Sequence, residues 1–118
     1  MSLDDLKTRV RQFARERDWE QFHGPKNLVM ALTSEVGELS ELFQWLTPQQ
    51  SQAIMDEPDH AARVREEIAD ILIYLVRLAD VLEIDLLEAA EDKLRVNAAK
   101  YPADRSRGRA DKYTELGE

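Results

Sequence analysis

Two pairs of acidic residues occupy positions where a predicted helix is otherwise apolar. Glu35 and Glu38 form the first pair, and Glu67 and Asp70 form the second, each with a spacing of three residues. On a helical wheel, Glu35 falls in the middle of a leucine stripe, and Glu67 also falls among apolar residues. A buried carboxylate is unfavourable unless it is protonated or meets a cation. In two facing antiparallel helices, the four carboxylates would meet at one point.

The chemistry of these four carboxylates indicates a hard divalent cation. Oxygen ligands without His or Cys suit Mg²⁺, with Mn²⁺ as a substitute, and such ions recruit the phosphate groups of substrates. The alternative is that the acidic residues are partly solvated or form ion pairs with Lys and Arg. Arg63 is the one basic residue at suitable helical spacing, and it pairs better with Glu66 or Glu67 at the surface. The pattern therefore favours a metal site.

A di-iron centre is a rival hypothesis, because the chain contains Glu-x-x-His twice, at residues 20–23 and 57–60. In di-iron bundles that element lies in the middle of a helix. Here one copy is followed at once by Gly24-Pro25, and the other contains Pro58, so neither fits on a continuous helix with both side chains inward. The sequence therefore disfavours a di-iron oxidase.

The elements that position these residues are predicted to be helices, since no window alternates with the period of a strand. Prolines and glycine separate the apolar segments. They predict an all-α bundle of four main helices and one short helical piece, near residues 3–17, 27–46, 59–82, 86–100 and 48–55. We predict one domain over residues 1–104 and a basic, irregular C-terminal tail over 105–118, which is either solvated or folded over the acidic cluster or a neighbouring subunit.

The third main helix is apolar on nearly every side between Ile68 and Leu82. Such a helix must be covered all round. Because the other helices of one chain can cover only part of it, we expect other copies of the chain to cover the rest. The sequence therefore predicts a homo-oligomer.

Composition excludes several classes of function. The chain has 24 acidic and 16 basic residues, for a net charge of −8, which disfavours a nucleic-acid polymer or an anionic membrane as partner. It has no Cys, so disulfides, thiolate metal sites and Cys nucleophiles are excluded. No apolar stretch reaches bilayer length, and the start lacks a secretory pattern. We therefore expect a cytoplasmic protein.

The segments that surround the acidic pairs resemble a known family. EVGEL at 35–39, ELFQW at 41–45 and EEIADILIYL at 66–75 are similar to the all-α nucleoside triphosphate pyrophosphohydrolases of the MazG-like superfamily. Further matches resemble the dCTP pyrophosphatase branch and extend the likeness over residues 3–116: RDWEQFH at 17–23, NL at 27–28, Asn97 with KYP at 100–102, SRG at 106–108 and KYTEL at 112–116.

This resemblance implies a homotetramer that depends on Mg²⁺ and hydrolyses a nucleoside triphosphate, dCTP or a modified dCTP, to the monophosphate and pyrophosphate. Glu35, Glu38, Glu67 and Asp70 would hold the metal, and Glu35 or Glu38 would also act as base for the attacking water. Two alternatives stay open. One is a relative that acts on dUTP or another nucleotide, and the other is a non-enzymatic acidic helical module that binds a basic partner.

Candidate substrate-binding residues follow from helical spacing and from the family resemblance. Lys93, Asn97 and Lys100 share one face of the last main helix and could grip phosphate and sugar, although a solvated face is the alternative for the two lysines. The resemblance adds aromatic and polar candidates for contacts with the base and sugar: Trp19, His23, Asn27, Trp45, Tyr74 and Tyr101. Glu41 and His60 are assigned to the surface.

Overall fold

Prolines mark where four helices begin in the computed structural model, which describes residues 1–110. Pro25, Pro48 and Pro58 lie in the first turn of a helix, and Pro102 is an N-cap. A proline costs no hydrogen bond there, because the first N–H groups of a helix have no intrahelical acceptor. The six α-helices within residues 1–110 are α1 Leu3–Glu16, α2 Pro25–Phe43, α3 Pro48–Gln52, α4 Pro58–Val81, α5 Leu86–Lys100 and α6 Ala103–Ser106.

The all-α class is confirmed, and no strand occurs in the described part of the chain, which contains six α-helices instead of the four main helices and one short piece that were predicted. The long helices α1, α2, α4 and α5 correspond to the four predicted ones. The two others are short: α3 lies within the short piece predicted at residues 48–55, and α6 was not predicted. Thr47 and Gln50 form a capping box at α3, and α6 follows Pro102 and crosses the predicted start of the tail at residue 105. Residues 111–118 of that tail lie outside the described residues, and the boundary at 104/105 stays a prediction.

The chain divides into two compact units, residues 1–84 and the part that starts at Asp85. In the first unit α1 and α2 both pack against α4, and the 3-10 turn Ile54–Asp56 packs there too. The N-terminal end of α2 lies beside the C-terminal end of α4, so these two helices are antiparallel, as predicted. The buried apolar core is small and consists of Ala14, Leu28, Ile54, Val64, Val76 and Ala79.

One apolar face of α4 is exposed to solvent in the described part of the chain. Ile68 is 53% exposed, and Leu72, Leu75 and Leu82 are also exposed on the same side of the helix. This exposure leaves apolar area in water that a second protein surface would bury. Over residues 1–110, none of the helices has the length and apolar character needed to cross a membrane.

The second unit consists, in its described part, of α5 and α6. Asp85 caps α5 by accepting a hydrogen bond from the backbone N–H of Glu88 at 3.0 Å. The helix ends at Tyr101, whose N–H donates to the carbonyl of Asn97 at 2.8 Å. None of the residues of α5 is fully buried.

Candidate metal centre

Three of the four predicted carboxylates meet between α2 and α4. Oxygen atoms of Glu35, Glu38 and Glu67 all lie within 4.8 Å of one another. Glu35 and Glu67 are half-buried and Glu38 is exposed. This geometry arises because α2 and α4 are antiparallel and because Glu35 and Glu38, one helical turn apart, share a face of α2.

The proximity of these carboxylates raises their proton affinity. Burial, then hydrogen bonds with Glu67 and Glu38, and then the charges of Glu38 and Asp70 raise the pKa of Glu35 to about 7. A hydrogen bond with Glu35 lowers the pKa of Glu67, but burial and contact with Glu38 outweigh it and leave the pKa of Glu67 raised. Without a bound cation, the folded protein therefore favours the protonated forms of Glu35 and Glu67 more than water does.

The donor set fits a divalent cation. Oε2 of Glu35 and Oε2 of Glu67 are buried, and within residues 1–110 neither has a hydrogen-bond partner. Buried oxygens without a donor are costly, and a hard cation satisfies several of them at once. No basic side chain of the described residues forms an ion pair with any of the three glutamates. The alternative that these residues form buried ion pairs with Lys or Arg is therefore disfavoured.

Asp70, the fourth predicted ligand, lies at the edge of this group. It is exposed and does not belong to the set of oxygens within 4.8 Å of one another. Its charge still raises the pKa of both Glu35 and Glu67, so it contributes to the same electrostatic site. Glu41, one turn beyond Glu38, is exposed, in agreement with its predicted position at the surface.

A second polar network lies at the other end of α4, and sequence reasoning missed it. Arg77 is only 7% exposed, although arginine side chains in proteins are mostly exposed. Its Nη1 lies 3.2 Å from Oδ2 of Asp80, and its Nε donates to Nδ1 of His23 at 3.0 Å. Nε of Arg11, on α1, also donates to Oδ2 of Asp80, at 2.8 Å. Arg77 is buried because α1 and the segment before α2 cover that side of α4.

The other candidates near α2 are less buried. Nδ2 of Asn27 donates to the carbonyl of Phe22 at 3.1 Å, which ties α2 to the 3-10 turn Glu20–Phe22. Tyr74 is half-buried on α4. Trp45, beyond the end of α2, is 86% exposed, so within this chain it is not a core residue.

Trp19 contacts Phe13, which lines an open groove along α1. Its ring meets the ring of Phe13 edge-on, with centroids 5.7 Å apart, and 44% of Trp19 is exposed. The groove has a volume of about 650 Å³, and Phe13, Val10 and Ile73 are among the residues that line it. A space of this size accommodates a nucleoside.

The candidates on α5 belong to the second unit. Lys93, Asn97 and Lys100 follow a spacing of four and three residues, so they share one face of α5, as predicted. Lys93 is exposed, Asn97 and Lys100 are half-buried, and Tyr101 is 38% exposed. Their role in substrate binding stays a prediction.

Two antiparallel helices that share a cluster of carboxylates place this chain among all-α proteins with a candidate divalent-metal site. The model of the MazG-like family matches residues 30–116, which include both acidic pairs. The chain therefore belongs to the MazG-like family, and the resemblance inferred from its sequence is confirmed.

Individual relatives extend the match to nearly the whole chain. Rat dCTP pyrophosphatase 1 is 47% identical over 115 residues, which cover 98% of this chain and 68% of the relative. The bovine dCTP pyrophosphatase 1 is 48% identical over the same shares. Among solved structures, a pyrophosphatase from Archaeoglobus fulgidus is similar, with a TM-score of 0.78 and 40% identity over 84% of this chain and 91% of the other.

Proposed function

We propose that this protein hydrolyses dCTP, or a modified dCTP, to the monophosphate and pyrophosphate, with Mg²⁺ or Mn²⁺ as its cofactor. The observation that carries the proposal is the cluster of Glu35, Glu38 and Glu67 oxygens within 4.8 Å of one another, two of them buried without a donor. The names of the relatives, dCTP pyrophosphatase 1 in mammals and a pyrophosphatase in an archaeon, support the reaction and the substrate. We place the reaction in the cytoplasm.

The four predicted carboxylates would hold the cation. Glu35, Glu38 and Glu67 supply clustered oxygens, and Asp70 adds a fourth carboxylate beside them. When bound, a divalent cation neutralises negative charge on the triphosphate and on the leaving pyrophosphate.

The chain itself must orient and deprotonate a water molecule. In the proposed reaction the water oxygen attacks the α-phosphorus, and the bond from that phosphorus to the oxygen that bridges to the β-phosphorus breaks. Pyrophosphate leaves with the electron pair of that bond, and a carboxylate takes the proton of the water. Glu35 and Glu38 are the two candidates for this base.

Contacts with the rest of the nucleotide are assigned to the predicted binding residues. Trp19 is partly exposed and contacts Phe13, which lines the groove along α1, and aromatic faces stack on bases. His23 and Asn27 lie in or next to the segment that leads into α2, where a positioned polar group can contact a bound nucleoside. The remaining assignments rest on the family resemblance and on the shared face of α5: Trp45, Tyr74, Lys93, Asn97, Lys100 and Tyr101.

We also propose a homo-oligomer, a tetramer in keeping with the resemblance. Ile68, Leu72 and Leu75 form an exposed apolar stripe on α4. A second copy would bury this stripe, because closed symmetric assembly is the common way in which small helical chains cover such faces. Analytical ultracentrifugation of the protein and of a Leu72→Glu variant tests this proposal. A monomer at micromolar concentration in the unaltered protein would contradict it.

The activity is tested by pyrophosphate release from a panel of dNTPs and NTPs, with and without Mg²⁺. We expect Mg²⁺-dependent release that prefers dCTP and that is lost in the Glu38→Gln variant. Glu41→Gln is the matched control, because Glu41 lies one turn further along α2 and is exposed. Preference for dUTP or another nucleotide would retain the mechanism and reject dCTP. No release from any nucleotide would reject the enzyme and favour the acidic interaction module.

A further inference from the structure

We propose that Arg77 is a positioning residue that holds His23 as a neutral imidazole with its proton on Nε2, so that His23 donates a hydrogen bond to the nucleoside part of the substrate. The first half of this proposal concerns only the protein, and the second half rests on the proposed function. A guanidinium group only donates hydrogen bonds, and a neutral imidazole has one donor and one acceptor nitrogen.

The direction of the Arg77 to His23 hydrogen bond fixes the tautomer. Nε of Arg77 lies 3.0 Å from Nδ1 of His23. Because Arg77 can only donate, Nδ1 must accept and carries no proton, so the ring proton resides on Nε2. Protonation of Nδ1 would place two N–H groups against each other and would add a second positive charge beside the guanidinium group.

Arg77 is itself held in place. Its side chain is 9% exposed, and its Nη1 lies 3.2 Å from Oδ2 of Asp80. Asp80 is fixed in turn by two hydrogen bonds from Arg11 on α1. Charge-assisted bonds of this kind restrict the guanidinium group to one orientation. The hydrogen bond to His23 is therefore set by packing between α1 and α4, and it does not depend on a mobile surface side chain.

The charges around His23 favour the neutral ring. Burial is the largest effect that lowers the pKa of His23, followed by the positive charge of Arg77. Glu20, in the 3-10 turn just before His23, acts in the opposite direction, but Nε of Arg15 binds its carboxylate at 3.0 Å. The ring is therefore neutral near pH 7, in agreement with the direction of the hydrogen bond.

The position of Arg77 along α4 connects this network to the carboxylate cluster. Arg77 follows Asp70 by seven residues, which corresponds to about 10 Å along the helix and a rotation of only about 20°. Glu67 precedes Arg77 by ten residues, which corresponds to about 15 Å, so His23 lies about two to three turns of α4 away from the carboxylates. That separation suits a nucleotide whose phosphates lie at the carboxylates and whose nucleoside extends along the helix.

The second ring nitrogen of His23 is available for a ligand. Among residues 1–110, the ring of His23 forms one hydrogen bond, the one that Nδ1 accepts from Arg77. Trp19, four residues earlier in the same segment, is partly exposed. A fixed N–H donor matches a carbonyl oxygen or an unprotonated ring nitrogen of a base, and it disfavours an amino group at the same place. His23 would therefore select the edge of the base by its fixed tautomer.

The tautomer is tested directly by long-range ¹H–¹⁵N spectra of the imidazole rings. The chain has two histidines, and the exposed His60 is an internal control. We expect His23 to show a protonated Nε2 and an unprotonated Nδ1 at about pH 7. A proton on Nδ1 of His23 under these conditions would overturn the proposal.

Two arginine variants separate positioning from general stability. Arg77→Met removes the donor to His23, and Arg11→Met removes a partner of Asp80 without contacting His23. We expect His23 to lose its fixed tautomer in Arg77→Met and to keep it in Arg11→Met, at a temperature where circular dichroism shows both variants to be folded. Retention of the tautomer in Arg77→Met, or its loss in both variants, would contradict the positioning role.

Donation to the substrate is tested by kinetics of two His23 variants. His23→Phe keeps an aromatic ring without a donor, and His23→Gln keeps an N–H donor near the position of Nε2. We expect His23→Phe to raise KM for dCTP by about three- to tenfold with kcat little changed, as the loss of one neutral hydrogen bond implies, and His23→Gln to recover part of that loss. An unchanged KM in His23→Phe would reject donation. If the unaltered protein hydrolyses no nucleotide, the proposed function and the donation fail together, while the spectra still decide the role of Arg77.

Discussion

The helix α4 carries two carboxylate sites whose surroundings are opposite in charge. Glu67 meets Glu35 and Glu38 on α2, with no cationic side chain beside it among the described residues, and its pKa is raised. Asp80, thirteen residues later, accepts hydrogen bonds from Arg11 and lies 3.2 Å from Arg77, and its pKa is lowered. The glutamate cluster has no neighbouring positive charge among the described residues, whereas the charge of Asp80 is balanced by Arg11 and Arg77.

This difference separates a site that needs a ligand from one that completes the fold. The guanidinium groups beside Asp80 balance its charge within the chain, so nothing further has to bind there. The glutamate cluster is balanced only when a cation from outside binds, and until then it destabilises the folded chain. Active sites commonly hold such unfavourable charge, since they must bind a charged ligand. Substitutions at the two sites should therefore have opposite effects on activity and on stability.

The largest effect is expected from Glu67→Gln. The substitution removes a carboxylate from the proposed metal site, so we expect pyrophosphate release from dCTP to fall by about a hundredfold or more, since metal-bound charge contributes several kcal/mol to such reactions. Without metal, the melting temperature at pH 8 should stay equal or rise, because like charges no longer face each other. Glu66→Gln, at the exposed neighbouring position, is the control. Near-normal hydrolysis by Glu67→Gln would contradict the proposal that the glutamate cluster binds the metal while Asp80 only stabilises the fold.

Asp80→Asn should have the reverse profile. It leaves the guanidinium groups of Arg77 and Arg11 without their counter-charge in a largely buried place, so the free energy of unfolding should fall by about 2–3 kcal/mol. Metal-dependent hydrolysis should persist at temperatures where the variant remains folded. Urea denaturation followed by circular dichroism measures the loss. A variant as stable as the unaltered protein would show that the arginines do not depend on Asp80.

The two sites should also give stability opposite dependences on pH. The pKa of Glu35 rises on folding from 4.5 to about 7, so its protonated form stabilises the fold below about pH 4.5 and this contribution is lost as pH rises through 7. The pKa of Asp80 falls on folding from 3.8, so its contribution is present above that value and is lost under more acidic conditions.

We therefore expect the metal-free protein to lose stability between pH 5 and pH 8. Mg²⁺ should reduce that loss, since it binds the ionised carboxylates, and Glu35→Gln should remove most of it. Urea denaturation in EDTA at several pH values measures the slope. Equal stability at pH 5 and pH 8, or the same slope in Glu35→Gln, would contradict the assignment.

The sequence predicted the glutamate cluster because the signal lies within each helix. Glu35 and Glu67 interrupt apolar stripes, and the period of a helix converts that pattern into a shared face. The starts of α2, α3 and α4 were predictable for a similar reason, since each has a proline in its first turn. Local patterns of this kind do not require knowledge of what packs against the helix.

The network around Arg77 could not be predicted in this way. In sequence, Arg77 and Asp80 form an oppositely charged pair at a spacing of three residues, which is common on the exposed face of a helix. Their burial depends on Arg11 from α1 and His23 from the segment before α2, which are 66 and 54 positions away from Arg77 in the chain. The one signal in the sequence for this buried network was the presence of Arg77 in a helix segment that is otherwise apolar on nearly every side.

The smallest effect is expected from a third carboxylate that lies in neither site. Asp92 on α5 accepts a hydrogen bond from Arg95 at 3.0 Å, and both side chains are well exposed, at 60% and 72%. A pair in water gains little, so Asp92→Asn should lower the free energy of unfolding by about 0.5 kcal/mol or less, several times less than Asp80→Asn. The same urea titration compares the two variants. Equal losses would mean that burial of the arginine pair at Asp80 adds nothing, and the contrast between a completed buried site and an ordinary surface pair would then fail.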